Sequence, residues 1–144
     1  MIRKITKHDL EIIHHLNVNE LGGSSDIKTT QSTLTRLLDL PDQHYLIGYE
    51  VDGKLVGYLH AQMFEMLYNP NALLNVISMA VTSDTQGKGI GTELMEAIED
   101  IGHDLGLDGI RINSGHNRER AHQFYEKHGY VSNRDQKRFI KLFD

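Results

Sequence analysis

Residues 73–81, LLNVISMAV, are apolar at all but two positions, and three residues further on the chain reads TQGKGIGTEL (85–94), with glycines at 87, 89 and 91 around one lysine. A strand that is apolar on both alternations has no solvent face, so it belongs inside a sheet covered on both sides. Beyond the glycines, Ile90, Leu94, Ala97, Ile98, Ile101 and Leu105 recur at helical spacing, with Glu93, Glu96, Asp100 and Asp104 around the other side and Gly106 at the end. Strand, glycine turn and helix together aim several unpaired backbone N–H groups and a positive dipole end at one spot, which suits a phosphate. Glycine lets the backbone approach the anion and adopt the turn's dihedrals. Two common phosphate loops do not fit. The P-loop needs Gly-Lys-Ser/Thr, but Gly87-Lys88 is followed by Gly89; the dinucleotide fingerprint needs a glycine where Thr92 stands.

The remaining pattern is a close succession of elements without repeats or low-complexity linkers. Residues 2–5 read as a short strand, and Asp9 is placed to cap a helix over Leu10, Ile13 and Leu16. A second helix around 30–39 carries Leu34, Leu37 and Leu38. Residues 44–51 and 54–64 flank Asp52-Gly53, a dipeptide that supplies positive φ, and so form a hairpin. GIRINS (109–114) reads as a strand, 117–128 as a helix closed by Gly129, and 137–142 as a last strand. The expected architecture is a single α/β domain over residues 1–144, its mixed, mostly antiparallel central sheet carrying helices on both faces. The order is β-α-α-β-β-β-α-β-α-β-β.

Composition narrows the chemistry. There is no cysteine, which removes disulfides, thiolate metal sites and an acyl-cysteine carrier. The histidines, among them His14, His15, His116, His122 and His128, never fall at His-x-x-x-His spacing, so no metal is expected. A net charge of −5 argues against nucleic acid, and no run approaches a membrane span or an apolar signal core. A cytoplasmic protein, monomeric or homodimeric, is expected. Charge is uneven: residues 1–110 carry 7 basic and 16 acidic side chains, residues 111–144 carry 8 and 4. The C-terminal part therefore suits an anion.

The run Gln86-Gly87-Lys88-Gly89-Ile90-Gly91 resembles the Q/R-x-x-G-x-G/A pyrophosphate loop of the GNAT N-acetyltransferase superfamily. Ser78-Met79-Ala80-Val81 before it resembles that family's fourth strand, and N117-x-x-x-A121-x-x-F124-Y125-E126-K127-x-G129-Y130 its second signature. The resemblance implies acetyl-coenzyme A as co-substrate. It implies that Met79, Ala80 and Val81 pair with the pantetheine arm as with an added strand, and that the amides of Gly87 to Thr92 hold the pyrophosphate. Asn117 would bond the pantetheine arm, and Arg118 and Arg120 would reach the nucleotide's phosphates. Tyr125 falls where the family's general acid lies.

The acceptor implied is a small-molecule or peptide amine. Near pH 7 a lysine-like amine is over about 99% protonated, and freeing its lone pair costs more than about 4 kcal/mol, so a base is needed. Many relatives place a glutamate or histidine early in the fourth strand; here Asn75, Ile77 and Ser78 stand there, and none titrates near neutrality. Two routes remain: a water held by Asn75 relays the proton, or His60, which alternates onto one strand face with Tyr58, Gln62 and Phe64, accepts it. The missing strand base also leaves open a regulatory module that binds acyl-coenzyme A with little or no turnover.

Overall fold

The computed structural model describes every residue, Met1–Asp144, and the chain divides into two compact units, Met1–Asn113 and Ser114–Asp144. The first unit is a five-stranded sheet in the order β1-β2-β3-β4-β5. Its strands are β1 (Ile2–Lys4), β2 (His44–Val51), β3 (Lys54–Phe64), β4 (Leu73–Val81) and β5 (Gly109–Ile112). The helices α1 (Leu10–Asn19) and α2 (Ile27–Leu38) lie between β1 and β2, and α3 (Ile90–Asp104) lies between β4 and β5. Neighbouring strands are antiparallel except β4 and β5, whose parallel pairing needs the long crossover that α3 supplies. The β2–β3 turn forms on Asp52 and Gly53, both at positive φ (50° and 78°), the conformation for which that dipeptide is suited.

The apolar alternation sorts the helices onto the two faces. Tyr58 and Ala80 turn toward α1 and α2, where Ile13, Leu16 and Leu34 complete one cluster with Ile5 and Leu55. Gly57, one residue from Tyr58, faces Ile90 of α3 instead, and Gly102 on α3 sits over Leu74 and Ile110. Leu94, Met95 and Ile98 of α3 are fully buried, as are Leu59 and Leu74 of the sheet. Helices pack on both faces of β4, as a run apolar on both alternations requires. No helix is long and apolar enough to cross a membrane.

Several boundaries differ from the sequence pattern. Asp26 rather than a residue near 30 caps α2, accepting from the Thr29 amide at 2.8 Å, so the helix starts one turn early. Asp9 precedes α1 but makes no cap bond to it. Its carboxylate turns back, accepting from the Thr6 amide at 2.8 Å and from both Arg3 terminal nitrogens at 2.9 Å, while Arg3 Nε donates to Glu50 at 2.8 Å. A bidentate arginine outcompetes a helix N–H for a carboxylate. β5 stops at Ile112, two residues short of the expected end.

The second unit contains α4 (Glu119–Lys127), which starts two residues later than expected, after Arg118. From His128 onward there is no helix or strand, so the two closing strands of the expected order, including 137–142, do not form. A strand exists through its ladder partner, and Lys137-Arg138-Phe139-Ile140-Lys141-Leu142 lacks the strict alternation that would give it one buried face. Phe139, Ile140 and Leu142 are exposed.

The Arg3–Asp9 pair is the testable feature of this fold. Arg3's hydrogen bonds hold the Asp9 carboxyl below its ordinary 3.8, against the opposing effect of burial. A lowered folded pKa stabilises above the unfolded value, and that contribution disappears as pH falls through 3.8 and below. Asp9→Asn is expected to lower stability by about 2 kcal/mol at pH 7 and to flatten this acid limb. Urea unfolding of both proteins at pH 7 and pH 3 checks it.

Candidate functional site

β4 is paired along its whole length with β3, from Leu73 opposite Phe64 to Val81 opposite Gly57. Its other edge is paired with β5 only from Leu73 to Val76. A register shift at this point skips Ile77, which is 48% exposed, and beyond it the β5 side of β4 has no ladder partner in the sheet. The orientation of the open backbone follows from one bond. The Thr82 amide donates to Val56 O on the β3 side at 2.8 Å. Alternation then turns Ala80 toward β3 and turns the N–H and C=O of Met79 and Val81 toward the open edge.

The strand leads into the glycine loop through a tight turn at Ser83–Thr85, closed by the Thr85 amide on Thr82 O at 3.0 Å and by a 2.6 Å bond between their hydroxyls. Gly87 and Gly89 have φ of 80° and 81°, and a Cβ on either would meet no atom within 4 Å. Glycine is needed here for its backbone conformation, and the space above the loop is open to a ligand. Gly89 is the N-cap of α3, and its carbonyl accepts from the Glu93 amide at 3.1 Å. The amides of the helix's first turn point out of its start, as an anion site requires. Lys88 is exposed between the two glycines.

Gln86 ties this loop to two places. Its side-chain nitrogen donates to Val81 O and to Glu20 Oε2, both at 3.1 Å, and the other Glu20 oxygen accepts from the Ser83 hydroxyl. Glu20 caps the C-terminus of α1, so a helix 66 residues away in sequence fixes the loop. The open groove of about 580 Å³ between α1 and residues 82–84 includes Glu20 and Asp84. Those two carboxylates disfavour a phosphate in this groove.

On the α1/α2 face a polar chain runs across the strands. The Tyr58 hydroxyl donates to Asn17 Oδ1 at 2.5 Å and accepts from the Ser78 hydroxyl at 3.4 Å. His60 Nε2 lies 2.9 Å from His44 Nδ1. Burial, reinforced by the charge of His44, pushes His60 down to about 4, so it is neutral at pH 7. Asn75 is placed differently: its amide oxygen accepts from Arg111 at 3.0 Å, and Arg111 also lies over the Phe64 ring, 4.6 Å from its centroid. No group of three or more metal-binding side chains comes together.

In the second unit Asn117, Arg118 and Arg120 are exposed around the first turn of α4. Tyr125 is half-buried, edge-on to Phe124 (centroids 5.5 Å apart) and to Tyr130 (6.3 Å). Burial raises its phenol above the ordinary 10.0, and nearby Arg118 opposes that shift.

Glu20, Asn17 and Tyr58 are the site residues that sequence patterns did not single out for a role. Glu20 and Asn17 sit in a helix and its cap with no motif around them, and only the packing of α1 against the sheet gives them partners. Tyr58 was visible only as a neighbour of His60 on an alternating strand.

The chain matches the family model described as Acetyltransferase (GNAT) family over residues 10–130. No curated protein matches it in sequence. Solved structures share its fold. A possible acetyltransferase from Clostridium difficile 630 is 20% identical, with a TM-score of 0.86 covering 100% of this chain and 98% of the other. An aminoglycoside acetyltransferase from an uncultured soil metagenomic sample, in complex with trehalose, is 18% identical at a TM-score of 0.80, covering 100% and 96%. A ribosomal-protein-alanine N-acetyltransferase from Brucella melitensis biovar Abortus 2308 is 19% identical at a TM-score of 0.76, covering 99% of each chain. At these identities the likeness is one of fold.

Gly89→Val tests the loop. A Cβ here meets no atom within 4 Å, but a β-branched residue at φ 81° is strained by about 1–3 kcal/mol, and relaxing that strain is expected to turn the first-turn amides away. Calorimetric titration with coenzyme A should show at least a tenfold loss of affinity in a protein that still unfolds cooperatively. Unchanged affinity would remove the anion site from this loop.

Proposed function

The chain belongs to the GNAT acetyltransferase family, and from that premise we propose that it transfers an acetyl or slightly longer acyl group from acyl-coenzyme A directly to a primary amine, donor and acceptor being bound together. The observation that carries the reading is the open edge of β4 followed, after one turn, by a loop whose Gly87 and Gly89 stand at positive φ with open space beside them at the start of α3. Acyl-coenzyme A, when bound, supplies the activated acyl group. Everything else falls to the chain's own residues. Met79 and Val81 offer backbone groups to the pantetheine amides, Ala80 holds the strand between them, and the amides of Gly87 to Thr92 face the pyrophosphate. Gln86 shapes that loop, Lys88 adds positive charge, and Asn117 and Arg120 are assigned to the cofactor arm and phosphates by the signature they occupy. With no cysteine in the chain, the acyl group has no thiol to rest on, which favours direct transfer. The same reading takes the protein as a cytoplasmic enzyme without a metal.

Two proton transfers are required. The departing thiolate needs a proton, and Tyr125 is assigned to give it: its raised pKa keeps the phenol protonated at neutral pH. The amine must lose one, and His60, near 4, is a weak acceptor at pH 7. Ordered water, held at the polar chain of Tyr58 and Ser78 or at Asn75, is the better route.

Release of free thiol from acetyl-coenzyme A across a panel of primary amines tests the function. Turnover is expected, and cofactor binding without turnover on any amine would leave a binding module in its place. In the same assay Tyr125→Phe is expected to slow turnover about ten- to a thousandfold with little change in cofactor affinity. A wild-type rate would reduce Tyr125 to packing. The rate should rise with pH up to the substrate amine's own pKa without an inflection between about 6 and 8, and His60→Ala should leave that acid limb unchanged. An inflection near neutrality that the mutation erases would make His60 the base.

A further inference from the structure

Beneath α1 and α2 the first unit holds a cavity of about 210 Å³ whose wall is built from one face of each element. From α2 come Thr30, Thr33, Leu34 and Leu37, spaced three and four apart as one helical stripe requires. From α1 come Ile13 and Asn17, and from the sheet Leu46, Tyr58 and His60. Its floor touches the open strand: the Tyr58 hydroxyl on the wall is 3.4 Å from the hydroxyl of Ser78, the residue before Met79.

No carboxylate lines this cavity. Its two titratable groups are both uncharged at neutral pH, Tyr58 as any phenol with an ordinary value of 10.0 that burial only raises, and His60 because burial lowers its imidazole. Asp26, which lies in sequence between the lining residues Ser25 and Thr29, is not on the wall; its carboxylate caps α2 by accepting from the Thr29 amide. A second ammonium group buried here would have no counter-charge on the wall, which disfavours a polycation. Branched aliphatic walls with a few hydroxyl and amide groups favour a compact apolar group that accepts or donates one or two hydrogen bonds. The volume equals that of about seven liquid waters, below the roughly 300 Å³ of the smallest drug-sized pockets, so the occupant is a group of leucine or phenylalanine size.

We propose that this cavity is the acceptor's specificity pocket, taking the uncharged apolar substituent of a monoamine or of an apolar amino-acid amide, and that polyamines and aminoglycosides are poor acceptors. This rests on the acyltransferase reading of the neighbouring strand. Binding can nonetheless be read without turnover. Titration of the ¹⁵N-labelled protein with phenethylamine is expected to shift signals of Thr30, Leu34, Leu46 and Tyr58, with saturation in the millimolar range or below, whereas spermidine is not. In the thiol-release assay, phenethylamine and leucinamide should have KM values at least tenfold below those of spermidine and kanamycin. Thr33→Phe, which narrows the cavity from its rim, should raise the phenethylamine KM at least tenfold and leave acetyl-coenzyme A affinity unchanged. Shifts in the cavity without any acetyl-coenzyme A binding would retire the acyltransferase reading and keep the pocket. Shifts elsewhere or none, a lower KM for the polycations, or an unaltered KM in a folded Thr33→Phe protein would overturn the pocket.

Discussion

β4 keeps a ladder partner on its β5 edge only as far as Val76, and the proposed cofactor surface is built around that loss of pairing. A strand buried on both faces cannot leave backbone groups unpaired without a cost of about 1–3 kcal/mol for each one buried away from water. Here the unpaired stretch is short, begins at a bulge, and ends where Gln86 takes up the Val81 carbonyl. What stays open, around Met79 and the Val81 amide, is the length over which an extended arm with alternating amides can add itself to the sheet. The glycine loop follows after one turn, so an arm lying along β4, as proposed, would deliver its charged end to the start of α3.

The rest of the first unit holds these pieces in place. α3 lies on one face through Leu94, Met95 and Ile98, which fixes where its N-terminus points. α1 lies on the other face and ends in Glu20, whose carboxylate holds both Gln86 and Ser83. The Arg3–Asp9–Glu50 cluster in turn anchors the start of α1 to β1 and β2. A perturbation at either end of α1 therefore has a route to the loop through one rigid helix.

Much of this was legible in the sequence, for identifiable reasons. The hairpin bounds at 44–51 and 54–64 coincide with β2 and β3 because Asp52-Gly53 admits one turn type and the alternation on either side admits one register. The β4–loop–α3 run was readable because an apolar strand, positive-φ glycines and a 3.6 period each signal locally. Asp9 misled because its alternative partner, Arg3, becomes a neighbour only once β1 and the turn before α1 are formed. Residues 137–142 misled because apolar content alone does not supply a ladder partner, and α4 started late because Asn117 and Arg118 precede its first helical residue. Glu20's hold on the loop and the His44–His60 pair are contacts between distant segments, invisible to any window-based pattern.

The central claim is that the open edge of β4 and the glycine loop together form one extended binding surface. Amide hydrogen exchange with and without coenzyme A reads it residue by residue. The expected result is that coenzyme A slows exchange at Met79 and Val81 together with Gly87, Gly89 and Gly91, while amides already paired to β3, such as Ala80 and Thr82, change little. Protection of the loop glycines alone, with Met79 and Val81 exchanging as freely as before, would contradict the added-strand arrangement and leave only an anion site at the start of α3.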